Sequence, residues 1–341
     1  MSGSWDVHHA PMAVVTDLGR LRGPRFGLPV NGALDQYSAR AANILVGNHE
    51  ADPLIEVTAF DAEFSPSVDV VVAVTGAEVE LRVGGLERPS WEPVTVRAGE
   101  RLQLQEITAG MRCYVAVHGS FDVPYLLGSC APDSGVGFSA MLSPSTGVPL
   151  RSRGPAPVSD FWGISLFNLQ ALRPRVEEGA PVDVIDGPDS EEFKGTAQRL
   201  FAQPYTVSER SNHVGLRMHG GALPARISTE EKISRGVPIG AVEVPPGDEL
   251  LVLHRGRGVT AGYPVLGVVT STSLDTLGQV RPGQEIEFRP VEIAQARQDA
   301  RAWRAELDAL RQRTATAFDS LGLGEQYRHV DHRRSLTRAT G

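Results

Sequence analysis

The chain has 341 residues, a formal net charge of −8 at pH 7 and two cysteines without CxxC spacing. This length suggests about two domains, each large enough to bury a core, and the scattered basic residues make nucleic acid or an anionic membrane an unexpected partner. The N-terminus lacks the apolar core of a signal peptide, and no apolar run approaches the roughly 20 residues that span a bilayer. We therefore expect a cytoplasmic protein with reduced thiols and no membrane segment.

The first conspicuous segment is TDLGR at 16–20, in which Asp17 and Arg20 flank a turn. Two interpretations are open. The two side chains form a buried ion pair that sets the turn, or Arg20 recognises a ligand carboxylate while Asp17 orients it.

The next segment, 27–48, predicts a short helix that ends at Gly47, with Asp35 at its N-terminus as a cap. Alternatively, Asp35 is a base or a substrate anchor. Asn48 either closes the loop after the helix or donates amide hydrogen bonds to a urea-like or lactam group. The apolar positions that fall on one helix face are Tyr37, Ala41, Ile44 and Leu45.

Short apolar or alternating runs predict strands through much of the remaining chain. Glycine and proline together make up 60 residues (36 plus 24), which suits many short strands joined by tight turns, as in barrels or sandwiches. Glu56 lies inside the apolar run DPLIEVT, where an unpaired carboxylate is costly to bury, so a functional role is as plausible as a structural one. The clearest strand predictions are 68–75, 101–107, 113–118 and 249–254.

The chain also resembles itself weakly. GLPVNGAL at 27–34 is similar to GLRMHGGAL at 215–223, and VRAGERLQL at 96–104 is similar to VRPGQEIEF at 280–288. Chance recurrence of a glycine turn before a strand is the alternative for the second pair, but nearly equal offsets favour two related β domains. We place the join loosely at 172–184.

Towards the C-terminus, the spacing of apolar residues predicts a helix over 293–310. It either packs on its own barrel or presents a surface to a partner chain. The tail after Tyr327 is predicted to be mobile. The seam consists of Ile293, Ala296, Ala300, Trp303, Leu307 and Leu310. The predicted domains are 1–180, 181–291 and a helical tail over 292–341.

These pieces together resemble the biotin-dependent carboxyltransferase family, whose members are called allophanate hydrolase subunit 2 or the C subunit of 5-oxoprolinase. The resemblance implies a mainly β fold with two cyclophilin-like β-barrel domains in tandem and a C-terminal helix. Besides 16–20 and 27–48, it covers 52–58, 70–81, 114–129, 211–220, 238–253, 261–269 and 280–288.

The same resemblance implies a subunit of an ATP-dependent amide hydrolase. The chain would form a hetero-oligomer with a smaller subunit 1, which resembles the 5-oxoprolinase B subunit, and with a third protein like the A subunit, and it would be inactive alone. Its substrate would be 5-oxoproline, opened to glutamate, or a urea-derived amide. Asp35 and Glu56 are the predicted catalytic carboxylates, and the predicted substrate-binding residues are Asp17, Arg20, Asn48, Arg217 and Tyr263.

The sequence lacks several common motifs for nucleotide binding, hydrolysis and metal binding, and this limits the reactions expected of the chain on its own. No GxxxxGK[ST], GxSxG or HExxH pattern occurs, so ATP is expected at a subunit junction or on a partner, and no metal site is indicated. Neither of the two lysines, Lys194 and Lys232, has the Met-Lys-Met setting of a biotin attachment site. Biotin would have to arrive on another protein.

The chain departs from the family at GRGVTAGYP, 256–264. The family reads roughly Asp-Arg-Gln-Thr-Thr-Gly-Gly-Tyr-Pro, so its acidic and amide positions are Gly256 and Gly258 here. This loss counts against the first alternative function, carboxyl transfer from carboxybiotin to a urea-like substrate. A second alternative is a non-catalytic antagonist that binds a protein resembling the smaller subunit.

Overall fold

A computed structural model of the protein describes residues 3–139, 141–151, 156–174, 179, 181–228, 232–247 and 249–328. The chain forms two compact units. Unit 1 contains residues 1–19, 36–174 and 304–341, and unit 2 contains residues 20–35 and 175–303. The chain therefore passes between the units more often than a division into successive domains assumes. The tail after Arg328 and the predicted join at 180 lie outside the described residues.

Unit 1 is built on a nine-stranded, largely antiparallel sheet with the strand order β2-β3-β8-β4-β1-β9, and β5 joins this path by pairing with β8, β6 and β7. Its elements are β1 (Ser4–His9), β2 (Ala13–Thr16), α1 (Gln36–Leu45), β3 (Leu54–Thr58), β4 (Ala62–Pro66), β5 (Val70–Val83), β6 (Leu86–Arg88), β7 (Val94–Val96), β8 (Leu102–Val117) and β9 (Gly147–Pro149).

The long strands β5 and β8 form the centre of this sheet. The sequence predicted two strands, 101–107 and 113–118, but β8 is continuous through both. Between the two predicted runs, β8 pairs with β5 at Ala109 and again at Cys113 across a shift in register, and the strand is not broken. Val72, Val74, Val115 and Val117 are fully buried in the core of this unit.

Helix α1 confirms the helix predicted after Asp35. The four predicted apolar positions are all at least 98% buried, and Gly47 adopts φ 79° while its N–H donates to the Ile44 carbonyl at 3.0 Å. A glycine is needed at this left-handed position because Cβ would strain it.

Unit 2 is a closed barrel with the strand order β10-β17-β14-β15-β12-β11-β18. A separate two-stranded ladder joins β13 to β16. Its elements are β10 (Pro181–Asp186), β11 (Tyr205–Val207), β12 (Gly215–His219), β13 (Arg235–Gly236), β14 (Ala241–Glu243), β15 (Leu250–Leu253), β16 (Thr260–Ala261), β17 (Val265–Val269), α2 (Ser271–Leu277) and β18 (Glu285–Pro290). The mainly β fold predicted from the sequence is confirmed, with one closed barrel and one open sheet.

Two helices end the described chain, α3 (Ile293–Ser320) and α4 (Gly324–Arg328). The predicted helix is present but ten residues longer. Only Leu307 and Leu310 of the predicted seam are buried, whereas Ile293 is 55% exposed. In unit 1, Phe318 stacks between Trp162 and Tyr327 at centroid distances of 4.5 and 4.7 Å. A partner surface on the first turns of α3 stays a prediction.

Candidate functional site

The candidate site lies in unit 2, on the side of the barrel wall that faces away from the barrel core. Successive strand residues alternate between the two faces, and Val242 and Val252 point into the core. Their neighbours therefore line the opposite side, which we call the outer face. Strand register places one row of four residues across β12, β15, β14 and β17, namely Arg217, Leu251, Glu243 and Val265.

Glu243 is the unusual member of this row. It is 1% exposed, its neighbours across the ladder are Leu251 and Val265, and its Oε1 has no hydrogen-bond partner within the described part of the chain. Burial raises the pKa of its carboxyl group to about 7. A buried carboxyl without a partner is destabilising, and such groups concentrate at functional sites.

Arg257 follows β15 in the loop that leads to β16. It is 7% exposed, and its Nε donates to the Val237 carbonyl at 2.9 Å. Its Nη1 is buried without a partner among the described residues, and burial lowers the pKa of the guanidinium. Because a buried cation needs a compensating charge, this group is suited to binding an anion.

Residues 232–237, which we call the cover segment, run beside this face. Arg235 pairs with Ala261 in the short ladder. Asp189 holds the segment by accepting hydrogen bonds from Lys232, at 2.7 Å, and from Arg235. The same carboxylate accepts the N–H of Val265 at 2.8 Å, so the cover segment passes next to the cross-strand neighbour of Glu243.

Residues 20–35 form another part of unit 2 near this loop. The N–H of Asn31 donates to the Arg255 carbonyl at 2.9 Å. Asp35 is 1% exposed and accepts a hydrogen bond from the Gln279 amide at 2.8 Å. A Cβ on Gly278 would lie 2.8 Å from the Leu34 carbonyl carbon, so only a glycine allows this close approach. Residues 20–35 are thereby held against Arg255, which lies two residues before Arg257.

The two family positions that are glycines here differ in their surroundings. A Cβ on Gly256 would lie 2.2 Å from Cδ2 of His213 and 2.8 Å from the His213 carbonyl oxygen. A Cβ on Gly258 would meet only the Thr260 carbonyl oxygen, at 3.5 Å. His213 therefore occupies the space that a side chain at position 256 would need, whereas a side chain at position 258 would have room.

Three of the predicted site residues, Arg20, Arg217 and Tyr263, belong to unit 2. Arg217 is in the row of Glu243, but its guanidinium already donates to Glu249 at 2.8 Å. Tyr263 precedes β17 and is 44% exposed, and its role in lining the site stays a prediction. Arg20 is completely buried, and its N–H donates to the Val30 carbonyl at 2.6 Å.

The predicted residues of unit 1 have structural partners. Asn48 donates to Asn43 Oδ1 at 3.0 Å and to the Val117 carbonyl at 2.8 Å, and its Oδ1 accepts the N–H of Gly119 at 2.9 Å. Its amide donors are therefore already used, as the loop-closing interpretation requires. Glu56 lies 3.7 Å from Arg112 on the adjacent strand. Both roles in substrate chemistry stay predictions.

Asp17 is also buried in unit 1. Its carboxylate accepts hydrogen bonds from the Ser129 hydroxyl at 2.6 Å and from the N–H groups of Gly19 and Cys130 at 2.8 and 2.9 Å. These bonds fix the base of the loop after Ser129. An ion pair between Asp17 and Arg20 stays a prediction.

Sequence reasoning missed Glu243 and the unpaired state of Arg257. The signal for Glu243 was present, because it is the only charged residue of PIGAVEVPP, just as Glu56 is the only one of PLIEV. Whether such a carboxylate finds a cation depends on non-local pairing, and only Glu56 does. Within the described ranges there is no cluster of three metal-ligating side chains and no helix long and apolar enough to cross a membrane.

Comparison with known proteins places this arrangement in a family. The model of the carboxyltransferase domain, subdomains A and B, matches residues 26–290. The chain belongs to this family. The match includes both the outer face and the loop of Arg257, so the candidate site is part of the carboxyltransferase domain itself.

Among curated relatives, the 5-oxoprolinase C subunit of Escherichia coli is 31% identical over 297 residues, which cover 86% of this chain and 94% of that protein. Among solved structures, TTHA0988 matches with a TM-score of 0.75 and 30% identity over 84% of this chain. The K. lactis urea amidolyase matches with a TM-score of 0.80 and 25% identity over 90% of this chain. This carboxyltransferase chain covers 55% of the TTHA0988 chain and 20% of the urea amidolyase chain.

Proposed function

We propose that this chain is the carboxyltransferase-domain subunit of a 5-oxoprolinase, which hydrolyses the lactam of 5-oxoproline with ATP. A smaller protein like the B subunit, and a third protein like the A subunit, would complete the assembly as a hetero-oligomer. Similarity to the 5-oxoprolinase C subunit over 94% of that protein supports the proposal. ATP would bind on a partner or at a subunit junction, since the sequence has no P-loop of its own.

The observation that carries the choice of substrate is the buried, unpaired guanidinium of Arg257. 5-Oxoproline has a carboxylate as well as a lactam, and a carboxylate supplies the charge and the acceptor oxygens that the guanidinium lacks. Urea is neutral and offers no such anion, whereas allophanate and carboxybiotin do, so Arg257 counts only against urea itself. Gly256, whose Cβ space His213 fills, removes a carboxylate from the same loop and so favours an anionic ligand.

The test is coexpression of the chain with the two partner proteins, followed by measurement of glutamate released from 5-oxoproline with and without ATP. We expect release that requires ATP and all three proteins. Arg257→Met should raise KM for 5-oxoproline by at least about tenfold, because a charge-assisted hydrogen bond contributes roughly 1.5–3 kcal/mol. Arg101→Met, at an exposed arginine of unit 1, is the matched control.

Two results would overturn the proposal. Carboxylation of urea when a carboxybiotin carrier is added would indicate carboxyl transfer instead. A stable complex that turns over neither 5-oxoproline nor allophanate nor urea would indicate the binding antagonist.

A further inference from the structure

The fold does not require a carboxyl group at the position of Glu243. It lies on β14, between β15 and β17, where its cross-strand neighbours on the outer face are Leu251 and Val265. An apolar residue there would extend the adjoining cluster of Val237, Ala241 and Leu253. A glutamate instead leaves one carboxyl oxygen buried without a partner in the described part of the chain.

The charged groups around Glu243 are already committed elsewhere. On β12, Arg217 donates to Glu249. Beside β17, Asp189 takes the charges of Lys232 and Arg235 of the cover segment. Burial is the whole cause of the pKa shifts of both Glu243 and Arg257, with no contribution from an opposite charge. Among the described residues the carboxyl group therefore has no cationic partner, and it is available to a ligand.

We propose that the carboxyl group of Glu243 binds the amide of a small lactam on the outer face, while Arg257 binds the carboxylate of the same ligand class. This inference deepens the proposed function by assigning the lactam-recognising residue, and it rests on that function for the choice of 5-oxoproline. A neutral carboxyl can donate to the lactam carbonyl, and a carboxyl oxygen can accept the lactam N–H. Both forms of the group thus fit an amide.

Val237 of the cover segment packs in the same apolar cluster as Val265, the cross-strand neighbour of Glu243, so movement of this segment would open the outer face there. Its ladder contains only two residue pairs, Arg235 with Ala261 and Gly236 with Thr260. Its charged anchors at Asp189 are partly exposed, with side-chain exposures of 28% for Lys232 and 44% for Arg235. Opening would break these contacts together with the hydrogen bonds of Val237 to Arg257 and Val259, and ligand binding can offset their loss.

The experiment measures binding of two probes to the assembled complex by calorimetry, namely 5-oxoproline and 2-pyrrolidone, which is the same lactam ring without the carboxylate. Glu243→Leu should weaken both probes by about tenfold to a hundredfold, since each loses the same hydrogen bond. Arg257→Met should weaken 5-oxoproline alone. Glu243→Gln, which can still donate and accept, should retain most of the affinity but lose its pH dependence between about pH 6 and pH 8. Glu287→Gln, at an exposed strand residue of the same barrel, is the matched control.

Equal affinity of wild type and Glu243→Leu for both probes would overturn the inference. So would absence of saturable binding of either lactam to the wild-type complex. Binding with the expected pattern but without glutamate release would instead support Glu243 as the lactam contact and count against the proposed function, so that the two failures are distinguishable. Circular dichroism of each variant verifies that it is folded.

Discussion

The imidazole of His213 occupies the space that a side chain on Gly256 would need. The N–H of Gly256 also donates to the His213 carbonyl at 2.9 Å, so the two loops are joined where a Cβ would force them apart. Gly256 stands where the resemblance predicts an acidic residue, and His213 fills the space that its side chain would need.

This relationship predicts opposite outcomes at two neighbouring glycines. Gly256→Asp should reduce the free energy of unfolding by about 1–3 kcal/mol, because backbone and imidazole must both shift. Gly258→Gln should change it by less than about 0.5 kcal/mol, since its nearest contact is at 3.5 Å. Urea denaturation measures both. Recovery of part of the loss in the double variant Gly256→Asp with His213→Ala would identify the imidazole as the obstacle, and equal losses at the two glycines would contradict the account.

Arg257→Met should leave the unfolding free energy within about 1 kcal/mol of the wild type. The variant loses the hydrogen bond to Val237, worth roughly 1 kcal/mol, but it also removes a buried charge without a counterion. Chemical denaturation of the purified chain is the measurement. A loss above about 3 kcal/mol would mean that the guanidinium is a structural element rather than a ligand-binding group.

The carboxyl group of Glu243 should make stability fall at high pH. Its pKa is about 7 in the folded protein and 4.5 as the reference, so the folded state binds the proton more tightly than the unfolded state. The resulting stabilisation is complete below pH 4.5 and is lost as the pH rises through 7. Glu243→Gln never ionises. Its free energy of unfolding should therefore rise relative to that of the wild type between about pH 5 and pH 8, by at most about 3 kcal/mol. Thermal melts across this range measure the gain, and parallel curves for the two proteins would refute the ionisation.

Glu50 should have the reverse pH dependence. In unit 1 it accepts hydrogen bonds from Arg40, from Arg304 twice and from Arg311, at 2.5 to 2.8 Å. Burial opposes ionisation, but the bonds from Arg304 and Arg40 lower its pKa to about 2 from 4.5. This stabilisation is complete above pH 4.5 and is lost as the pH falls through 2.

Glu50→Gln should therefore reduce the unfolding free energy at pH 7 by about 2–3 kcal/mol, with a smaller difference at about pH 3. Amide exchange should rise over 304–320, where the arginine partners lie. Glu306→Gln is the matched control, because the Glu306 side chain is about half exposed and its carboxylate lies 4.0 Å from Arg313. An equal loss in both variants would show that general charge, not the cluster, is responsible.

The sequence predicted those helices and strands whose formation depends on nearby residues. Helix α1 follows from its apolar spacing and Gly47, and the short strand β15 follows from a compact apolar run between turn residues. The division of β8 was wrong because pairing with β5 on both sides of Gly110 keeps the strand continuous, and such pairing between distant segments leaves no local signal. Barrel closure depends on β10 pairing with both β17 and β18, residues too distant in sequence for any local signal.

The site was predicted only in part for the same reason. The resemblance located the loop of Arg257 and Tyr263, but whether a buried arginine finds an anion depends on side chains from several strands. Glu56 was singled out as a carboxylate in an apolar run and Asn48 as an amide at the end of the predicted helix, and both have partners in the fold. Glu243 carries the same signal and has none in the described structure, a difference that emerges only from the register of β14, β15 and β17.

The hydrogen bond between Asp35 and Gln279 joins residues that are synthesised 244 positions apart. During translation, residues 20–35 leave the ribosome long before the barrel that they complete, and residues 304–328 of unit 1 leave it after that barrel. Neither unit can therefore finish folding as its own stretch of chain emerges. The order of synthesis and the order of assembly are decoupled, so this protein should acquire its native stability only once residues 304–328 have emerged, and excised fragments 1–174 or 175–303 should fold poorly on their own.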